Sequence, residues 1–268
     1  MFASPWIAAV FAIFAWWFFT GVILLVVRRA DRALQGAHQA AVVVSVPLLA
    51  LGVAGLVMST HTLTVANIYI SFTSALLIWG WIELAFLTGV ITGPETRPCP
   101  AGLSGYARFK RAWHTLSYHE MLLLTGLVAV TIASMGSENL FGLWAYVVLL
   151  VARISAKLNL FFGVPRINTE FIPTPLTHLK SYFRQGNVTP IFGIGVTFLS
   201  VATGCFAERL IVAQTPPEVV GFALLTALSA LATLEHWLMV IPLPDAKLWR
   251  WMLPTLPTNS KTGGSNEL

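Results

Sequence analysis

Eight residues in this chain carry side chains that could do chemistry and stand where such side chains are costly. Glu83, His119, Glu120, Arg153, Lys157, Asn159, Glu235 and His236 all fall inside long apolar blocks. Ionisable groups inside a membrane span mark a binding or proton-transfer site by default, with a partner close by. Arg153 and Lys157 are four residues apart, so one helix face carries both cations. Glu83, Glu120 and Glu235 match them in sign, and a buried ion-pair network that fixes helix register is one reading. A metal centre is the second, because imidazole suits iron and zinc and carboxylates bridge the irons of di-iron bundles. Its candidate ligands are Glu83, His119, Glu120, Glu235 and His236. Those bundles use Glu-x-x-His, however, whereas His119–Glu120 and Glu235–His236 are adjacent pairs, about 100° apart around a helix. Histidine boxes of the membrane-desaturase kind need more than the six histidines present, and His38, His61, His114 and His178 are expected in loops. In the third reading His119 or His236 is an axial ligand to a tetrapyrrole, haem or chlorophyll, walled by some of the ten tryptophans and seventeen phenylalanines. Membrane helices and their interfacial belts are rich in these aromatics in any case. The spacing assigns a catalytic role to none of the eight.

Such residues need helices that bring them to one level. The chain is 268 residues long, 56% apolar and only 10% charged, with a mean hydropathy of +0.76. Soluble domains carry about 25% charged residues. The apolar residues come in blocks long enough to cross a hydrocarbon core of about 30 Å as helices, and they lack the alternation of a membrane β-barrel. The expected fold is all-α and polytopic. Seven spans are placed near 6–27, 41–58, 66–92, 116–135, 140–162, 189–212 and 219–241, the second interrupted by Pro47. A single bundle over 1–257 and a polar, disordered tail over 258–268 account for the whole chain. The first block lacks a basic leader and a small-residue cleavage site, so it reads as an uncleaved span.

Lysine and arginine set the orientation. Apart from Arg153, Lys157 and Arg209, every basic residue falls after spans one, three or five or in the tail. This distribution places the N-terminus in the periplasm and the C-terminus in the cytoplasm. Glu83, His119, Glu120, Arg153, Lys157, Asn159, Glu235 and His236 then share a layer roughly 5–15 Å from the cytoplasmic boundary. The net charge of +5 belongs to this asymmetry and to contact with anionic lipid headgroups, not to nucleic acid. The long connections 93–115 and 163–188 lie on the same side, and 176–184 (LTHLKSYFR) has the makings of a short interfacial helix. Cys99 in a loop and Cys205 in a span are not placed to pair. Glu208 and Arg209 read as a solvated headgroup pair. No phosphate-binding glycine loop, Gly-x-Ser-x-Gly, HExxH or paired Asp-rich motif occurs.

Several strings together resemble one family. They are Trp79–Pro94 (WGWIELAFLTGVITGP), Tyr118–Met121 (YHEM), Ala152–Phe171 (ARISAKLNLFFGVPRINTEF) and Glu235–Leu253 (EHWLMVIPLPDAKLWRWML). They are similar to PuhE, a photosynthetic complex assembly protein of purple and other anoxygenic phototrophic bacteria. The likeness extends from SPWIAA at Ser4–Ala9 to the tryptophan-rich tail. It implies a multi-pass protein of the bacterial inner, intracytoplasmic membrane. It also implies a role in assembling the reaction centre and its light-harvesting 1 ring, or in adjusting bacteriochlorophyll supply, with reaction-centre or light-harvesting subunits and membrane lipid as partners. The family brings no established catalytic residues.

Overall fold

A computed structural model describes residues 2–169 and 172–242. Among them the secondary structure is helical, and the one isolated bridge, Val164 with Gln185, ties together the two ends of a long connection. The helices are α1 (Pro5–Arg32), α2 (Ala37–Val44), α3 (Val46–Thr60), α4 (Val65–Leu87), α5 (Gly105–His114), α6 (Ser117–Ala133), α7 (Phe141–Phe162), α8 (Pro190–Val212) and α9 (Pro216–Leu238), with a 3-10 helix at Thr174–Tyr182. Six helices are long and apolar enough to cross a membrane, and a seventh crossing arises if α5 and α6 form one bent span. The expected tail at 258–268 and the basic residues Lys247, Arg250 and Lys261 lie outside the described residues.

Local chemistry sets the boundaries. Proline occupies the first turn of α1, α3, α8 and α9, where its missing N–H loses nothing. Thr64 caps α4 through the Asn67 N–H. Thr215 and Glu218 form a reciprocal capping box at the start of α9. Pro47 stands just inside α3 and Ser45 separates it from α2, so the second span is interrupted but crosses as one unit from Ala37 to Thr60.

Three details depart from the sequence expectation. The third span ends as a helix at Leu87 rather than at residue 92, and the chain turns through Gly89 at φ 74°. The fourth span is α6 as expected, but the connection before it holds a further helix, α5, which meets α6 at 66°. His38 lies in α2, His114 ends α5 and His178 sits in the 3-10 helix rather than in loops. The interfacial helix expected at 176–184 is this 3-10 helix, displaced slightly toward the N-terminus.

α4 is the axle of the bundle. It packs on α1, α3, α6, α7 and α9, and two thirds of its most apolar window is buried. The main core joins Phe72, Leu76, Leu123, Tyr146, Leu224 and Leu228 with small residues of α1 such as Ala8 and Ala12. α3 lies close against α4 because Gly52 has no side chain to meet the Ser74 carbonyl, which a Cβ would approach to 3.2 Å. α8 touches mainly α9 and α7, and Ile194, Phe198 and Val201 on it are exposed, as suits a face turned to lipid.

Candidate functional site

The end of α4 and the kink between α5 and α6 are built as one piece. The His119 N–H donates to the Thr92 carbonyl at 3.0 Å, and the Glu95 N–H donates to the His114 carbonyl at 3.2 Å. Gly93 lies directly against the backbone at 114–116, where a Cβ would collide with the His114 carbonyl oxygen. The loop after α4 thereby sets the entry angle of α6 and the position of its first turn, which carries His119 and Glu120.

α7 supplies the cations. Arg153 Nη2 is 2.6 Å from Glu83 Oε2, and Lys157 Nζ is 2.5 Å from Glu120 Oε1. Glu83, His119 and Glu120 are buried. The two pairs sit one turn apart on α7 and join α4 to α7 and α6 to α7. Phe86 separates them, with the Arg153 guanidinium 5.9 Å and the Lys157 ammonium 5.2 Å from its ring centre. The His119 ring lies on the same phenylalanine at 4.2 Å between centroids. His119 Nε2 is 3.5 Å from Glu83 Oε1, too long for a hydrogen bond, and both atoms lack a partner.

The rest of the predicted layer divides. His236 is buried on the far side of α7, where Nδ1 pairs with the Ala232 carbonyl and Nε2 with Ser155 Oγ. Asn159 is fully buried with both amide atoms unpartnered. Glu235 lines a small cavity of about 150 Å³ beside Arg153. The five side chains weighed as metal ligands do not converge. Among the described residues no three His, Cys, Asp or Glu side chains are grouped to hold an ion. Neither His119 nor His236 is among the residues that line this small cavity or the larger one beside it.

The four paired charges close one wall of a larger chamber of about 400 Å³, within the size range of small-molecule pockets. Its lining comes from α1, α4, α5, α6, α7, the 3-10 helix and the chain leading to it. Trp79, Phe86, Phe109, Trp113 and Phe161 give it aromatic walls, and Tyr182 lies among the residues contributed by the 3-10 helix. Thr20, Trp79 and Arg153 line both cavities, so the guanidinium stands at the partition between them. Beyond the chamber, Arg108 donates to the Tyr182 carbonyl, and Arg111 holds both Glu95 and the Tyr182 hydroxyl. Burial pushes the Tyr182 phenol above its ordinary value, partly offset by the Arg111 hydrogen bond. The apolar chamber therefore has one charged wall whose charges are already matched, an arrangement suited to holding a molecule in place.

Sequence reasoning missed two features. The chamber depends on α5 folding back against the 3-10 helix, and nothing in 93–115 read alone places them together. Asn139, at the opposite end of the bundle, is buried and donates to the carbonyls of Ser59 and Asn67 while accepting from the Phe141 N–H. It sits in the short turn before α7, where asparagine reads as ordinary turn chemistry.

The chain is 48% identical over 259 residues to a protein of Rhodobacter capsulatus described as "Uncharacterized 30.4 kDa protein in puhA 5'region", covering 97% of this chain and 94% of that one. No solved structure matches it. A family model described as "Protein of unknown function (DUF3623)" matches residues 2–260, and the chain belongs to that family.

Proposed function

We propose that this protein is an integral membrane assembly factor for the bacterial photosynthetic apparatus, the reaction centre and its light-harvesting 1 ring. In this reading it works by binding at the cytoplasmic half of the inner membrane. The observation that carries the binding role is the chamber whose four wall charges are paired with one another. Glu83, Glu120, Arg153 and Lys157 hold each other across three helices and so fix the wall against which a bound molecule would rest. The photosynthetic setting is supported by the relative in the puhA 5' region and by the PuhE-like strings. The orientation follows from the positive-inside distribution, which puts the chamber and its Arg108 and Arg111 flank on the cytoplasmic side. Reaction-centre or light-harvesting subunits, or the bacteriochlorophyll supplied to them, are the components it serves.

Deleting the gene in a phototrophic host and recording near-infrared absorbance of isolated membranes tests this. The expected result is a several-fold loss of reaction-centre and light-harvesting 1 bands, restored by the wild-type chain. Unchanged bands would sink the proposal. Stoichiometric metal or a Soret band in the purified protein would replace it with a metal- or tetrapyrrole-dependent enzyme.

A further inference from the structure

Three buried polar atoms on residues of the chamber wall have no partner: Trp79 Nε1, Arg153 Nε and Glu83 Oε1. The first two are donors and the third an acceptor. Buried polar atoms are paired in the great majority of cases, so three orphans around one chamber ask for an explanation. An acceptor oxygen would meet Trp79 Nε1 or Arg153 Nε once those side chains turn toward the chamber, while Glu83 Oε1 has the unpartnered His119 Nε2 at 3.5 Å or a ligand hydroxyl to complement it.

Charge narrows the occupant further. Glu83 and Glu120 already balance Arg153 and Lys157, so the wall leaves no unmatched cation for an anionic head. An anionic head would meet carboxylates in a medium that solvates charge poorly. A cationic head would offer no acceptor to the two donors. Shape adds a third restriction. Trp79, Phe86, Phe109, Trp113 and Phe161 present ring faces that suit a flat partner. The chamber's volume of about 400 Å³ is in the range of pockets that bury drug-sized molecules.

The geometry points to a net-neutral amphiphile as the occupant, with a flat head carrying carbonyl or hydroxyl oxygens, of the quinone and quinol class, on a hydrocarbon chain. This assignment rests on the chamber being the working site of the assembly factor. The test uses the full chain in nanodiscs, with its tryptophan fluorescence titrated by decylbenzoquinone. Monodecanoylglycerol, decanoate and decyltrimethylammonium serve as competitors with the same chain length. Saturable quenching is expected, with each competitor at least tenfold weaker. Ala112→Trp, which fills the chamber from α5, should abolish saturation. Trp79→Phe, a milder change, should weaken binding about fivefold by removing one donor. Equal competition by any of the three, or undiminished binding in both variants, overturns the assignment. Membrane absorbance of cells carrying Ala112→Trp separates the two proposals. Normal bands despite lost quinone binding show that the chamber is not the site of the assembly role and leave the ligand class standing. Lost bands together with unselective binding do the reverse.

Discussion

Two buried polar clusters stand at opposite ends of this bundle, and they are built differently. Around Asn139 every group is neutral and matched: Ser59 and Asn67 carbonyls accept, Ser71 bonds the amide, and the Phe141 N–H donates to it. Around Glu83 the groups are charged, the pairing is strong, and three atoms of the wall residues remain unmatched beside a cavity. The first cluster is what helix ends need in order to lock together. The second exceeds that need, since neutral residues would close α4, α6 and α7 at less desolvation cost. The contrast teaches that burial of polarity alone does not identify a site, whereas burial with unmet partners beside a cavity does.

The contrast can be broken most severely at Glu83. Glu83→Ala leaves the Arg153 guanidinium without its carboxylate, and a loss of about 3–5 kcal/mol is expected, read as a collapse of folded yield in detergent. The double variant Glu83→Leu with Arg153→Leu should recover most of that stability. If the pair serves function, the double variant folds yet fails to restore reaction-centre absorbance. Full restoration would reduce the charged layer to scaffolding like its neutral counterpart.

Asn139→Leu should cost less, about 1–3 kcal/mol, because it strands two carbonyls and one N–H. Thermal unfolding should shift down while absorbance per folded molecule stays constant. A specific assembly defect there would erase the distinction between the two ends.

The smallest effect is expected at His178, on the 3-10 helix bordering the chamber. Burial holds its imidazole below the ordinary 6.5, against a weaker upward pull from the Pro175 carbonyl. The folded state therefore resists protonation more than the unfolded chain does. Stability contributed by this residue is intact above pH 6.5 and declines as pH falls below it. Melting temperature followed between pH 7.5 and pH 5.5 (conditions of about neutral to mildly acidic) should drop less in His178→Gln than in the wild type.

How much of this was legible beforehand depends on the kind of signal. Span number followed from hydropathy, because a bilayer demands long uninterrupted helices and the sequence has to comply. The pairing partners of Arg153 and Lys157 could be anticipated in sign and depth, since four-residue spacing fixes a shared face. Which carboxylate each would take depended on helix rotation, and that is set by contacts such as Gly52 on Ser74. His236 shows the limit. It shares a predicted level with His119, yet faces Ser155 on the other side of α7, because depth along a helix says nothing about azimuth. The chamber was invisible, as it arises from the α5–α6 bend and a 3-10 helix far away in sequence.

That bend leaves α6 only 17 residues long, about 25 Å of helix, in a bundle whose α1 has 28 residues. A hydrocarbon core of about 30 Å cannot meet both lengths without adjustment. Lipid next to α6 has to thin or let its headgroups sink, while lipid next to α1 can keep its full depth if that helix tilts. The protein would thus wear an uneven lipid collar, lowest at the bend between α5 and α6, where water and headgroups come nearest to Glu120.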